Sequence, residues 1–145
     1  GLTPIKVKGA TGLFDTNYEG KAQAACRALR DLDFVFLHIE ASDEAGHEGD
    51  AELKKRTIEA LDQRIVKPIS DCTATMTEPV TIALLPDHAT PCAVRTHTRD
   101  AVPFLIFRPG ETPDGISEFN EETAKKGSYG LLHGDEFMKA LLQRT

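Results

Sequence analysis

Apolar residues recur along this chain in two rhythms. From Asn17 to Asp31 the residues Ala22, Ala25, Cys26 and Leu29 repeat at helical spacing, and Asn17 stands where an N-cap belongs, with Gly20 close behind. Between Asp50 and Met76 the stripe Ile58, Leu61, Ile65, Ile69, Cys72 and Met76, with charged residues between, predicts one face of a long helix that Pro68 kinks or interrupts. The other rhythm is the uninterrupted run. Phe34 to Ile39 is continuously apolar but for His38, which predicts a strand buried on both faces at the centre of a sheet, with His38 a core histidine. Val80 to Leu85 and Phe104 to Phe107, after Pro103, predict two more buried strands, and Leu2 to Val7 alternates weakly enough to be another before the loop Gly9-Ala10-Thr11-Gly12. Pro109 to Gly130 lacks periodicity and reads as a surface excursion, while Gly134 to Gln143 predicts a short closing helix. Strands alternating with helices predict an α/β sandwich with helices on both faces of the sheet. No internal repeat or low-complexity tract interrupts the pattern.

Composition narrows the function more than the fold. A chain of 145 residues is one domain long, and a chain of about 150 residues can bury roughly 70% of its unfolded surface. Its 17 Lys and Arg against 23 Asp and Glu leave a net charge of -6, which argues against nucleic acid or an anionic membrane as the principal partner. The basic cluster Lys54-Lys55-Arg56 reads as a solvated helix face. No apolar stretch approaches the roughly 18 residues of a membrane span, and the N-terminus lacks the plan of a signal peptide, so the expected compartment is the cytoplasm. Cys26, Cys72 and Cys92 have no paired spacing, which predicts reduced, mostly buried thiols. Gly1 stands in place of an initiator Met, with Ile5 and Val7 following at once, as expected of a fragment.

Ligands of α/β sheets bind beyond the carboxyl ends of the strands, and metal-ligand residue types gather in those places here. Asp43 and His47 follow the first apolar run, Asp87 and His88 the second, and His97 precedes the third. A mixed oxygen and nitrogen set of this kind binds zinc or manganese. Each piece also has a plain structural reading. Asp43 to His47 suits a polar turn bent at Gly46, Asp87-His88 suits a helix cap or turn, and His97 beside Thr98 and Arg99 suits an exposed loop. Joint placement favours a site, since three of the five histidines fall in these segments.

In this order the residues resemble the archaeal-type branch of the 2,3-bisphosphoglycerate-independent phosphoglycerate mutases, members of the alkaline phosphatase superfamily. The matching text is Gly9-Ala10-Thr11-Gly12, Asp15-Thr16-Asn17-Tyr18-Glu19-Gly20-Lys21, and the block from His38 through Asp43, His47 and Asp50. It continues with Pro86-Asp87-His88-Ala89-Thr90-Pro91, Arg95-Thr96-His97-Thr98, Val102-Pro103 and the stretch from Lys126-Gly127 to Gly134. The blocks Asp43 to Asp50 and Arg95 to Thr98 are the most specific, and the resemblance covers nearly the whole chain.

The resemblance implies a three-layer α/β/α sandwich of the alkaline phosphatase-like type, mostly parallel and incomplete on its N-terminal side, with residues 1–145 the C-terminal part of the catalytic domain. It implies two divalent ions (Mn, Zn, Mg or Co) and no 2,3-bisphosphoglycerate. Asp43, His47 and His97 would hold one ion, and Asp87 and His88 would belong to the other. The remaining ligands, an Asp and a phosphorylated Ser, would lie upstream of Gly1, and the family's separate substrate domain would be absent from this chain. Ser42, Ser70, Ser117 and Ser128 do not match that serine's context. Two metals about 3.5–4 Å apart would activate the serine and neutralise phosphoryl oxygens during interconversion of 3-phosphoglycerate and 2-phosphoglycerate. Lys21 and Arg95 are the expected cations for phosphate or carboxylate. Two other functions share the metal-ligand set: hydrolysis of a phosphate ester, and a non-catalytic metal-binding module.

Overall fold

The computed structural model describes residues 1–143. The chain divides into two compact units, Gly1–Thr77 with Thr90–His97, and Glu78–Ala89 with the residues from 98 onward.

The first unit is helical. Helix α1 (Tyr18–Ala28) starts where Asn17 accepts the Gly20 N–H on its side-chain oxygen at 2.9 Å. A Cβ at position 20 would strike the Asn17 side chain, so the glycine keeps that cap closed. Helix α2 (Ala41–Glu48) ends on Gly49, whose φ of 74° suits the left-handed cap. Helix α3 (Ala51–Leu61) is capped by Asp50, which accepts the Leu53 N–H at 2.8 Å. It passes through a π-helical segment, Asp62–Val66, into α4 (Lys67–Thr73). Pro68 is the physical cause of that segment, because it has no N–H for the carbonyl of Arg64 and its ring crowds that carbonyl. A wider turn absorbs the misfit, and the Lys67 N–H bonds the carbonyl of Asp62, five residues back.

The wide turn also breaks the apolar stripe that the spacing predicts as continuous. Ile65 is 6% exposed, whereas Ile58 is 51% exposed and Thr57 is buried in its stead. The Thr57 hydroxyl is satisfied by the Leu53 carbonyl at 2.9 Å. Around Tyr18, Ala22, Ala41 and Ile65 pack Phe14, Leu37, Ile39, Ala60, Leu61 and Ile69. Tyr18 donates its hydroxyl to the Phe14 carbonyl at 3.2 Å, and the Arg64 guanidinium lies 4.5 Å from its ring centroid. Arg64 in turn grips Glu19 through two hydrogen bonds of 2.5 and 2.8 Å.

The central buried strand expected at Phe34 to Ile39 is not formed. The segment is unpaired, with Val35, Leu37 and Ile39 half-buried and Phe34, Phe36 and His38 exposed. His38 is therefore not a core histidine; it stacks on Phe36 with ring centroids 6.2 Å apart. Leu2 to Val7 is likewise unpaired. A strand requires a neighbouring strand to receive its N–H and C=O groups, and among the described residues no strand pairs with either segment.

In the second unit β1 (Ile82–Leu84) pairs with β2 (Leu105–Phe107), with Ile82 opposite Phe107 and Leu84 opposite Leu105. The pair is antiparallel, so the mostly parallel sheet is not found among the described residues, although helices and sheet together keep the α/β character. The stretch 109–130 carries only the short helix α5 (Glu121–Ala124), capped by Asn120, and α6 (Glu136–Leu142) follows. Phe104 packs on Tyr129 and Phe137 with centroids 5.6 and 5.4 Å away. Arg108 donates to the Tyr129 hydroxyl at 2.7 Å and to the carbonyls of Ala140 and Leu141 at 2.5 and 3.3 Å, near the C-terminal end of α6. No helix among the described residues is long and apolar enough to cross a membrane. Cys26, Cys72 and Cys92 are free thiols and half-buried rather than mostly buried.

Candidate metal centre

Helix α2 carries the first two ligand types. Ala41 and Ala45 are fully buried, and residues two positions further along a helix point to its opposite side, which turns Asp43 and His47 outward together, one turn apart. The segment Asp43 to His47 is thus helix rather than the polar turn that its composition also suits, and Gly46 lies inside it. Asp43 sits in the first turn, where a carboxylate is favoured by the unpaired N–H groups.

The stretch 90–97 lies against this helix and brings in His97. Gly46 makes the close approach possible, since a Cβ there would collide with the Thr90 carbonyl oxygen and lie 2.9 Å from Thr90 Cγ2. Thr90 is 4% exposed, and its hydroxyl donates to Asp43 Oδ1. Lys54 from α3 donates to the Thr90 carbonyl at 2.6 Å, so this lysine is a half-buried strut and not part of a solvated face. Past Pro91 the chain makes one helical turn, the Arg95 N–H bonding the Pro91 carbonyl at 2.9 Å, and Arg95 ends it with φ 58°.

Three side chains bring their donor atoms together. His47 Nε2 is 3.2 Å from Asp43 Oδ2, His97 Nε2 is 3.4 Å from Asp43 Oδ1, and the two Nε2 atoms are 3.1 Å apart. An ion bound at about 2.0–2.2 Å holds neighbouring ligands roughly 3.0–3.5 Å from one another in tetrahedral or octahedral arrangement. The three separations here fall in that interval. His47 Nδ1 lies 3.1 Å from the Arg95 carbonyl, which can only accept, and with the hydrogen on Nδ1 the neutral ring leaves Nε2 a lone pair. A carboxylate and two imidazole nitrogens this close together form a donor set that could hold a divalent cation, and the Asp43, His47 and His97 side chains are 23%, 35% and 49% exposed.

Asp87 and His88 belong to the second unit, beyond β1. They contact each other, His88 Nε2 to Asp87 Oδ2 at 3.4 Å and the His88 N–H to Asp87 Oδ1 at 3.1 Å. Lys21, in the first turn of α1, donates to the His38 carbonyl at 3.1 Å. Partial burial pushes its pKa down, and the Glu40 carboxylate acts against that. The Arg95 side chain lies over Gly49, where a Cβ would come within 2.9 Å of Cζ. Thr90, Lys54 and Gly46 have no place in the expected site. The one local signal for them is Gly46 itself, because a glycine inside a helix marks the close approach of another backbone.

Residues 1–144 match the metalloenzyme superfamily. The chain is 51% identical over 144 residues to the 2,3-bisphosphoglycerate-independent phosphoglycerate mutase of Methanosarcina acetivorans, covering 99% of this chain and 36% of that protein. It is 45% identical over 148 residues to a probable 2,3-bisphosphoglycerate-independent phosphoglycerate mutase of Geobacter sulfurreducens, covering 99% of this chain and 36% of that one. The fold is similar to that of the PH0037 protein from Pyrococcus horikoshii, with a TM-score of 0.85 at 41% identity over 96% of this chain and 42% of the other. The chain thus spans a little over a third of the length of the relatives it matches.

Proposed function

Because the chain belongs to the metalloenzyme superfamily and resembles phosphoglycerate mutases along nearly all of its length, we propose that it is the C-terminal part of a 2,3-bisphosphoglycerate-independent phosphoglycerate mutase, which interconverts 3-phosphoglycerate and 2-phosphoglycerate. The observation that carries the proposal is the meeting of Asp43, His47 and His97, whose ligand atoms all lie within 4.8 Å of one another. These three residues hold one divalent ion, and Asp87 and His88 serve a second whose other ligands are outside this chain. Bound there, divalent ions lower the pKa of a hydroxyl nucleophile and offset the charge of phosphoryl oxygens. The chain's own residues arrange that chemistry: α2 fixes two ligands on one face, Thr90 orients Asp43, and Lys21 and Arg95 are the cations available to a phosphate or carboxylate.

The rest of the protein supplies the nucleophilic serine, the missing ligands and the substrate domain. It also supplies neighbours for segments 2–7 and 34–39, which then become strands of a three-layer α/β/α sandwich with a mostly parallel sheet. Conversion of 3-phosphoglycerate in the presence of manganese tests the proposal. The full-length protein is expected to turn over and these 145 residues alone are not, while His47→Ala or His97→Ala in the full-length protein abolishes turnover. Robust turnover by the 145 residues alone would overturn the assignment of the nucleophile, and release of inorganic phosphate in place of isomerisation would make the protein a hydrolase.

A further inference from the structure

Arg95 stands out by its backbone more than by its charge. It adopts φ 58° at the end of the turn that begins at Pro91, in the left-handed region where a residue with a side chain is uncommon. In that conformation its carbonyl oxygen faces His47 Nδ1 at 3.1 Å. The guanidinium folds over Gly49, itself left-handed with φ 74° and without a Cβ to obstruct it.

We propose that Arg95 is a positioning residue, whose left-handed main chain aims its carbonyl at His47 Nδ1 and so fixes the tautomer and ring orientation that leave Nε2 as a ligand lone pair. A hydrogen-bond acceptor on the far nitrogen commonly holds a metal-binding imidazole in this way. The two neutral tautomers of an unrestrained imidazole interconvert, and only the Nδ1-protonated one presents Nε2 to Asp43 and His97. The proposal rests on the assignment of His47 as a ligand, but it concerns the metal-free ring as well. Any charge that the guanidinium lends to a substrate is a separate contribution.

Two substitutions at one position separate main chain from side chain. Arg95→Gly removes the guanidinium yet adopts positive φ freely, whereas Arg95→Val has a β-branched side chain that opposes it. In metal-free full-length protein labelled with ¹⁵N-histidine, at a pH where the rings are neutral, long-range ¹H–¹⁵N correlation reads the tautomer of His47, identified by the signal lost in His47→Gln. Wild type and Arg95→Gly are expected to show protonated Nδ1, and Arg95→Val a mixture. Manganese titration should follow, with Arg95→Gly within about threefold of wild type and Arg95→Val weaker by about 10- to 100-fold, the usual effect of losing a hydrogen-bond partner behind a metal-binding ring. If Arg95→Val does not fold, Arg95→Thr makes the same comparison with a smaller β-branched side chain. A wild-type tautomer in the β-branched variant overturns the proposal, and so does an Arg95→Gly protein as disturbed as Arg95→Val, which would assign the effect to the guanidinium. Wild type that shows the fixed tautomer but binds no manganese would defeat the metal reading and leave the positioning role standing.

Discussion

Thr90 shows how one buried hydroxyl links a ligand to the scaffold. It gives its hydrogen to Asp43 Oδ1 while its own carbonyl is held by Lys54, so the carboxylate is tied through one residue to helix α3. Thr90→Val keeps the shape and removes the donor; in the full-length protein manganese affinity should fall by about 10- to 100-fold, the range for outer-shell partners, as read by titration calorimetry. Unchanged affinity would mean that α2 alone orients Asp43. Charge at the surface acts more gently. The Arg64 guanidinium holds Glu19 at about pKa 2, below its unfolded value, so this carboxylate stabilises the fold above pH ~4.3 and loses that contribution as pH falls toward 2. Because the pair is about half exposed, its worth is at most about 1 kcal/mol. Arg64→Gln should therefore be modestly less stable near neutral pH, including the loss of its contact with the Tyr18 ring. The ion-pair share of that deficit should vanish in acid, as urea denaturation at several pH values would record.

At the scale of elements, local chemistry was legible in the sequence wherever the element completes itself. The Asn17 cap, the helical spacing that follows it and the disturbance at Pro68 involve only near neighbours, and each is found where the residues place it. Phe34 to Ile39 fails for the opposite reason: β-branched and aromatic residues favour a strand, but the ladder has to come from elsewhere in the chain or from another chain. The phase of the long helix was also hidden, since a π turn is not visible in apolar spacing. Its consequence is measurable. Ile65→Ala should cost about 2–4 kcal/mol, as for other buried aliphatic truncations, whereas Ile58→Ala should stay within about 0.5 kcal/mol. Equal losses in chemical denaturation would restore the uninterrupted stripe. Of the candidate site, the ligand types in α2 could be read from residue identity and spacing, but the support from Thr90 and Lys54 could not, because it depends on two segments meeting far apart in sequence.

For the molecule as a whole, the distribution of apolar surface is the telling property. Leu2, Phe36 and Leu131 are 66%, 67% and 66% exposed, a poor state for side chains worth roughly 1.5–3 kcal/mol each when buried. The isolated 145 residues should accordingly enhance the fluorescence of a hydrophobic dye such as ANS, and Phe36→Ser with Phe34→Ser should reduce it. In the full-length protein, where segment 34–39 is proposed to lie inside a sheet, the dye signal should be weak and the same two substitutions strongly destabilising. A full-length protein that tolerates both serines would place this segment at a surface.

The alanines at the centre of the first unit carry an implication for how this sequence can drift. Ala22, Ala41 and Ala45 are at most 1% exposed, so their methyl groups are fully enclosed, and adding even a few atoms there displaces the neighbours at a cost of about 1–3 kcal/mol. A saturation library scored for folded protein should thus be least permissive at some of its smallest side chains. Substitutions to valine or leucine, harmless by most measures of chemical similarity, should be purged at these three positions, while larger changes are accepted at Ile58. In this unit the size of a buried side chain should constrain the sequence more strictly than its oiliness.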